Sequence, residues 1–142
     1  MKSLFESNQF FKTLIYSIFL STIVIFSGCK KDPTAIDEYY VKFNVNSSTI
    51  YSNGKLDVNI NNENNQPQSF SIDTKKAWEV TIGPVNKGFS AGVTVGEATN
   101  NHGKLTLKGQ ILVSKNGSPF AVKANDDSST PRVSMSLSYT LE

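Results

Sequence analysis

The sequence is poor in the residue types on which most catalytic and metal sites depend. It has a single cysteine, Cys29, and a single histidine, His102. A single thiol excludes an internal disulfide. One histidine and one cysteine are also too few to supply the usual ligands of a zinc site, and they do not favour a nucleophilic triad. His102 lies in the polar stretch 100–103 and is predicted to be a solvated turn residue. We therefore expect no cofactor and no enzymatic activity.

The sequence also lacks an excess of charge of either sign. Its 14 lysines and arginines are nearly balanced by 12 aspartates and glutamates, and the lysines are scattered along the chain. Proteins that bind nucleic acid usually carry a basic face or stripe, so a nucleic-acid partner is not expected. Asparagine, serine and threonine are abundant instead, as is typical of β proteins rich in turns.

Only one long apolar run is present, and it lies near the N-terminus. Residues 14–26 are almost entirely apolar, and Lys2 and Lys12 precede them. A membrane-spanning helix needs about 20 apolar residues, whereas the apolar region of a signal peptide has about 7–15. A permanent transmembrane anchor is the alternative, but the run is short for it. We predict that residues 1–28 form a helical signal segment that is removed, which would leave 114 of the 142 residues.

The apolar run ends in Phe26, Ser27, Gly28 and Cys29. This sequence resembles the lipobox of bacterial lipoproteins, in which small residues precede a cysteine that is acylated. The resemblance implies that Cys29 becomes the lipid-bearing N-terminus, with palmitate among its acyl groups, and that the protein is bound to a membrane. Phe26 stands where the family prefers leucine, whereas Ser27 and Gly28 fit its pattern. The alternative is a cysteine that follows an ordinary secretory signal by chance.

Residues 29–38 are polar, contain Pro33 and show no apolar periodicity, which is typical of a tether. Ten extended residues span at most about 35 Å. The lipobox resemblance implies that the domain lies in the cell envelope, anchored to the outer membrane in preference to the inner one, and the short tether would hold it close to that membrane. Its partner is predicted to be an envelope protein close to that membrane. The order Lys30, Lys31, Asp32 leaves open whether the domain faces the periplasm or the cell exterior.

From Tyr39 to the end of the chain, apolar and polar residues alternate with a period of two, which indicates β-strands. About eight such runs are present, at residues 39–46, 56–60, 70–72, 78–82, 89–95, 105–113, 120–122 and 133–141. Strands with one apolar face must bury it against another sheet. We predict an all-β domain over residues 39–142 that forms a two-sheet β-sandwich of immunoglobulin or transthyretin type. A closed barrel is the alternative.

The residues between these runs favour turns. Asn53-Gly54 and Asn116-Gly117 are dipeptides that suit tight hairpins, because both central residues of such turns need a positive φ. The polar stretches 61–67 and 126–131 and the dipeptide Gly83-Pro84 are predicted to interrupt the remaining runs.

The sequence after the signal resembles the small uncharacterised lipoproteins of Bacteroidetes bacteria, which share the CKKD start followed by a compact β domain. Its layout also resembles the exported domain of the mycobacterial MmpS proteins. The matching positions are Tyr40, Val41, Phe43, Trp78, Asn116 and Gly117. This resemblance implies a β-sandwich that is accessory to envelope export machinery, without a catalytic residue. The MmpS domain contains cysteines, and this domain has none after Cys29.

A loop of acidic and amide side chains is the best candidate for a metal site. Asp126 and Asp127 could supply oxygen ligands to calcium, and Glu63 is a weaker candidate. The spacing matches no known calcium loop, and such residues are also the best turn formers, so we predict no metal. Asp57 and Glu79 are expected to face solvent on separate strands, which does not favour a hydrolase with paired carboxylates.

Three further residues are candidates for a binding role. Trp78 shares the apolar phase of its strand and is predicted to be core, with a ligand-stacking platform as the alternative. Tyr40 and Lys42 lie on the outward phase of the first strand and form a possible binding surface.

These observations favour a non-enzymatic binding or accessory module. A structural or adhesion subunit that pairs through an edge strand is the second hypothesis, and a small envelope hydrolase is the third. The last predicted strand, residues 133–141, has no charge inside it. An edge position for that strand would favour the second hypothesis, and a central position the first.

Overall fold

A computed structural model describes residues 36–47, 54–73, 77–97 and 104–142. The predicted signal, Cys29 and the tether up to residue 35 lie outside the described residues. So do Asn53 and His102. Within the described ranges, no helix is long and apolar enough to span a membrane.

The described chain forms eight β-strands and no helix. Their bounds are β1 Tyr39–Ser47, β2 Lys55–Asn61, β3 Pro67–Asp73, β4 Trp78–Val85, β5 Ser90–Glu97, β6 Leu107–Lys115, β7 Ala121–Asp126 and β8 Ser134–Thr140. Sheet A has the order β4-β1-β6-β7 and sheet B the order β3-β2-β5-β8, with all neighbours antiparallel. The prediction of an all-β, two-sheet sandwich is confirmed. The alternative, a closed barrel, is not found, because the described strands form two separate sheets.

The core lies between the two sheets and follows the alternation in the sequence. In β1, Val41, Phe43 and Val45 are at most 1% exposed, while Lys42 and Asn44 between them are partly exposed. Successive side chains of a strand point to opposite faces, so one apolar phase per strand is enough to build this core. Its other members include Leu56, Val58, Ile60, Val93, Val95, Leu107 and Ile111.

The turn after β6 has the positive φ values that its sequence predicts, although β7 begins only at Ala121 and the connection is longer than a tight hairpin. Asn116 has φ 52° and Gly117 has φ 73°. Positive φ at both central residues gives a turn whose twist matches that of the flanking strands. β7 also contains a bulge, since its register to β6 shifts between Ile111 and Leu112.

Several strand boundaries differ from the predicted runs, including those of β3, β5 and β6, and three further differences concern β4, β7 and β8. β4 continues through Gly83 and Pro84, because β4 is an edge strand, where a proline need not interrupt any ladder. β7 extends to Asp126, which was expected to begin a turn. Val133 precedes β8 instead of belonging to it and is 65% exposed.

The N-terminal approach to β1 is bound to the β6–β7 turn. The backbone N–H of Glu38 donates to Asn116 Oδ1 at 2.9 Å, and Asn116 N–H donates to the Glu38 carbonyl at 2.8 Å. Asp37 accepts from Asn116 Nδ2 at 2.8 Å and pairs with Lys115 at 2.6 Å. The hydrogen bond to Asp37, followed by contact with Tyr39, raises the pKa of Lys115. Two residues that we assigned to the tether are thus held against the domain.

Candidate functional site

The outward side chains of Tyr40 and Lys42 lie on the solvent face of sheet A. In the register of sheet A, Lys42 of β1 lies opposite Leu112 of β6, and Leu112 lies opposite Val122 of β7. These three side chains therefore form a row across the sheet. The Lys42 ammonium lies 4.9 Å from the centroid of the Phe120 ring, within the range of a cation–π interaction.

We call Tyr40, Lys42, Leu112, Phe120 and Val122 the tether-side patch, because they lie towards the end of the sandwich where residue 36 enters. Phe120 is 37% and Val122 51% exposed. In the sequence, both residues lie in the apolar phase of a predicted strand, and this phase predicts that their side chains face the core. That expectation is wrong for them, because the bulge in β7 and the turn before it put these side chains on the outside.

A pocket of about 440 Å³ adjoins the tether-side patch on sheet A, since it is lined by Glu79, which is 3.7 Å from Lys42. It is formed where β1 and β7 end and where β4 and β6 begin. Its lining consists of Asn44, Val45, Asn46, Ala77, Trp78, Glu79, Lys108, Gly109, Gln110, Asn125, Asp126 and Asp127. We call it the end pocket.

Trp78 is half-buried, and its side chain packs against the hydrophobic core, as the sequence predicts. Because Trp78 pairs with Val45, its indole lies on the inner face of sheet A, whereas Asn44 and Gln110 of the end pocket lie on the outer face. The ring centroid lies 5.0 Å from that of Phe70 in sheet B, with the two planes inclined at 52°. This tilted contact connects the first residue of β4 to the opposite sheet.

Four amide residues and four charged residues provide the polar lining of the end pocket. Gln110 Nε2 donates to Asn125 Oδ1 at 3.0 Å across the β6–β7 pair. Asn44 Oδ1 is buried, and no group in the described part of the chain donates a hydrogen bond to it. Nearly all buried polar atoms in proteins have a partner, so this acceptor is an unusual feature of the site.

The carboxylate of Asp126 accepts hydrogen bonds from Arg132 and Ser128 within the protein. Its Oδ2 accepts from Arg132 Nη1 at 2.6 Å and its Oδ1 from the backbone N–H of Ser128 at 3.1 Å. The Arg132 hydrogen bond, and then that from Ser128, lower the pKa of Asp126. Both carboxylate oxygens that were weak calcium candidates thus have protein partners, and Asp127 alone makes a poor site.

The other carboxylates are not brought together. Asp57 lies on the outer face of sheet B, Glu79 on the outer face of sheet A, and Glu63 in the turn after β2. Glu79 is 3.7 Å from Lys42, as an exposed ion pair. Among the residues that the structure describes, no three histidine, cysteine, aspartate or glutamate side chains are grouped so that they could hold a metal ion.

The last strand, β8, lies at the edge of sheet B. Between Ser134 and Thr140 it has no charge, no proline and no bulge. The other three edge strands contain such features: Pro67 and Asp73 in β3, Glu79 and Pro84 in β4, and Lys123 with the bulge in β7. Charges, prolines and bulges are the usual protection of an edge against pairing with another chain.

Sequence reasoning did not identify the amides of the end pocket. Asn44 and Gln110 each lie on the outward phase of a predicted strand. Nothing else in the sequence indicates that they belong to a site. Their adjacency depends on the pairing of β1 with β6, where Asn44 faces Gln110 directly. Strand order cannot be read from the alternation, so the cluster was not visible in the sequence.

No protein-family model matches this chain, and no curated protein matches it. The resemblances to Bacteroidetes lipoproteins and to the MmpS domain therefore stay predictions.

Proposed function

We propose that this protein is a lipid-anchored, non-catalytic binding module of the cell envelope that contacts a membrane-adjacent protein through the tether-side patch. The observation that carries this proposal is the position of the patch. Tyr40 is the second residue of β1, and Phe120 follows the turn to which Asp37 and Glu38 are bound. The patch and the point where the tether enters therefore share one end of the domain.

The composition of the patch suits a protein partner. Aromatic side chains are enriched in protein–protein interfaces, and charged groups are depleted at their centres. Lys42, the only charge in the patch, is held by Phe120 and by Glu79. An ammonium in fixed contact with a ring loses less side-chain entropy on binding than a free lysine does. Such an arrangement favours docking of a partner with an apolar surface and an acidic rim.

The fixed approach segment also shortens the tether. Because Asp37 is bound to Asn116 and Lys115, only the eight steps from Cys29 to Asp37 connect the lipid to the domain. These steps extend to at most about 30 Å. A short connection keeps the tether-side patch close to the bilayer, where a membrane-embedded partner is within reach.

Site-specific photo-crosslinking tests this proposal. The crosslinking residue replaces Val122 in the full-length chain, expressed in its native cells, and a matched variant carries it at Ser71, which is exposed on sheet B. We expect one discrete adduct at position 122 and none at 71. The adduct should disappear in Tyr40→Ala and in Lys42→Ala. Equal adducts at both positions, or an adduct that both substitutions leave intact, would contradict the proposal.

The edge position of β8 favours a second function, that of a structural subunit which pairs through this strand. A neutral strand can pair with a second copy of itself without charge repulsion, and isologous pairing is the commonest basis of dimers. The side chains of Ser134, Ser136 and Ser138 are exposed along it. The same strand would also accept a strand from another protein by β-augmentation.

The oligomeric state separates the two functions. Sedimentation of the detergent-solubilised full chain should show a dimer or larger assembly if β8 pairs. The double substitution Ser136→Lys, Ser138→Lys should then return the protein to a monomer, because opposed lysines repel across an antiparallel pair. Ser69→Lys, Ser71→Lys on edge strand β3 is the matched control. A monomer at all concentrations would exclude self-pairing.

A further inference from the structure

We infer that the end pocket holds an extended polypeptide segment of the same partner that docks on the tether-side patch. The segment carries an apolar residue over the patch and, two positions later, an uncharged polar residue over the pocket. This inference rests on the proposed function and deepens it, because it names the form and the chemistry of the partner surface.

The patch and the pocket are neighbouring rows of side chains on the outer face of sheet A. The row that contains Lys42 belongs to the patch. The next row crosses all four strands and takes one residue from each, in the order Glu79, Asn44, Gln110 and Asn125. We call these four residues the polar row, and each of them lines the end pocket. Glu79 is 3.7 Å from Lys42, so a partner that covers the patch also meets the pocket.

The spacing of the two rows matches that of an extended chain. Along β1, Lys42 and Asn44 are two residues apart, which corresponds to about 7 Å in a strand. Side chains at positions i and i+2 of an extended segment have the same spacing and lie on one side of it. A segment aligned with β1 would therefore place one side chain over the patch and the next one on that side over the polar row.

The two rows favour different side chains. Leu112 and the 51% exposed Val122 provide an apolar surface for the first one. The polar row offers carboxamides, which present a carbonyl and an NH₂ group side by side and can pair with a hydroxyl, an amide or a peptide group. The 3.0 Å bond from Gln110 to Asn125 fixes two of these amides relative to each other. Fixed polar groups favour a preformed site.

One acceptor of the polar row specifies a donor on the segment. The Oδ1 atom of Asn44 is buried, and no group in the described part of the chain donates a hydrogen bond to it. A buried acceptor without a donor is unfavourable. A backbone N–H or a side-chain amide of the docked segment would supply the missing hydrogen bond, so docking would remove a cost that the free protein carries.

The charges around the polar row are balanced. Glu79 is 3.7 Å from Lys42, and Asp126 already forms an ion pair within the protein. Lys108 and Asp127 add one charge of each sign to the pocket lining. A charged side chain placed here would lose hydration without meeting a net charge of opposite sign. The balance therefore favours an uncharged occupant.

A second crosslinking position tests this inference in the full-length chain, expressed in its native cells. The crosslinking residue replaces Asn46, which is exposed and lines the end pocket. Asn59, exposed on sheet B, is the matched control. We expect Asn46 to capture the same protein as Val122, and Asn59 to capture none. The rows of Val122 and Asn46 are about 13 Å apart, or four residues of an extended chain. Mass spectrometry should therefore place the two attachment sites within about six residues of each other in the partner.

Substitution of Asn44 tests the role of the polar row. Asn44→Leu should lower the yield of both adducts about fivefold, the equivalent of one neutral hydrogen bond. The melting temperature should stay the same or rise, because the substitution removes a buried acceptor that has no donor. A purely structural asparagine would show the opposite, a lower melting temperature and unchanged yields. Asn59→Leu is the control and should leave both yields unchanged.

The outcomes separate this inference from the proposed function. No adduct at Val122 would overturn both. An adduct at Val122 without one at Asn46 would overturn the inference alone and leave docking on the patch intact. Attachment sites in two different proteins, or far apart in one, would have the same meaning, as would an adduct at Asn46 that contains no peptide. Unchanged yields in Asn44→Leu would show that the polar row does not bind the partner.

Discussion

Arg132 donates one guanidinium hydrogen bond to Asp126 and another to the carbonyl of Leu107, both at 2.6 Å. Asp126 is the last residue of β7, and Leu107 is the first of β6. The backbone of Arg132 also forms an isolated bridge with Leu105. One side chain before β8 thus fastens the end of the β6–β7 hairpin and fixes where the chain crosses from sheet A to sheet B.

This arrangement predicts a large effect of substituting Arg132. Arg132→Leu should lower the free energy of unfolding by about 2–3 kcal/mol, because Asp126 and the Leu107 carbonyl each lose a charged donor. Glu79→Gln is the control and should cost less than about 1 kcal/mol, since its ion pair is exposed. Urea denaturation of the fragment 31–142 measures both. Equal losses in the two variants would show that the Arg132 contacts do not stabilise the fold.

The lowered pKa of Asp126 predicts an acid-dependent part of the stability. The ordinary pKa of this carboxyl is 3.8, and its pKa in the folded state is lower. Such a carboxyl stabilises the fold at pH values above 3.8. This contribution is lost as the pH falls through the folded-state pKa. Between about pH 6 and pH 2 the unsubstituted fragment should therefore lose more stability than Asp126→Asn. Asp57→Asn, on the other sheet, is the control and should follow the unsubstituted fragment. If the stability of Asp126→Asn fell with pH as steeply as that of the unsubstituted fragment, the prediction would be wrong.

Substitution of Trp78 should have an intermediate effect on stability. A fully buried tryptophan replaced by alanine costs about 3–5 kcal/mol. Because Trp78 is only half-buried but contacts Phe70 and the core, Trp78→Ala should cost about 1–3 kcal/mol. The measurement is urea denaturation followed by far-ultraviolet circular dichroism. A loss of less than about 1 kcal/mol would show that the indole contributes little to the core.

Cys29→Ala should leave the domain folded but unanchored. Cys29 precedes every described strand, and the lipobox-like sequence ends at it. Two or more acyl chains hold a protein on a membrane far more firmly than one, and the variant would have none. Detergent phase partitioning should move the protein from the detergent phase to the aqueous phase. If both proteins partition alike, Cys29 is not the acylation site.

The length of the tether should control partner capture. Insertion of a flexible 30-residue linker after Asp32 should lower the yield of the Val122 crosslink at equal expression, because the domain then samples a larger volume. The same linker inserted after Glu142 is the control and should leave the yield unchanged. Unchanged yield with the Asp32 insertion would indicate a soluble partner or one bound too tightly for tethering to matter.

Most of the fold could be predicted because alternation is a local property. The phase of Val41, Phe43 and Val45 identified the inner face of β1, and Asn116-Gly117 identified the hairpin turn. The boundaries were less accurate where an edge position tolerates an unusual residue, as at Pro84, or where a bulge reverses the phase, as at Lys123 directly after Val122. Neither effect can be read from the residue types alone.

The sequence by itself determined that the domain is all-β, that its core is one apolar phase per strand, and that a lipobox-like motif precedes it. Each of these depends on residues close together in the chain. The tertiary structure decided the strand order, which brings Asn44 beside Gln110 and Trp78 beside Phe70, and which leaves β8 at an edge. Strand order depends on which long-range pairings bury the most apolar surface together, so no local pattern specifies it.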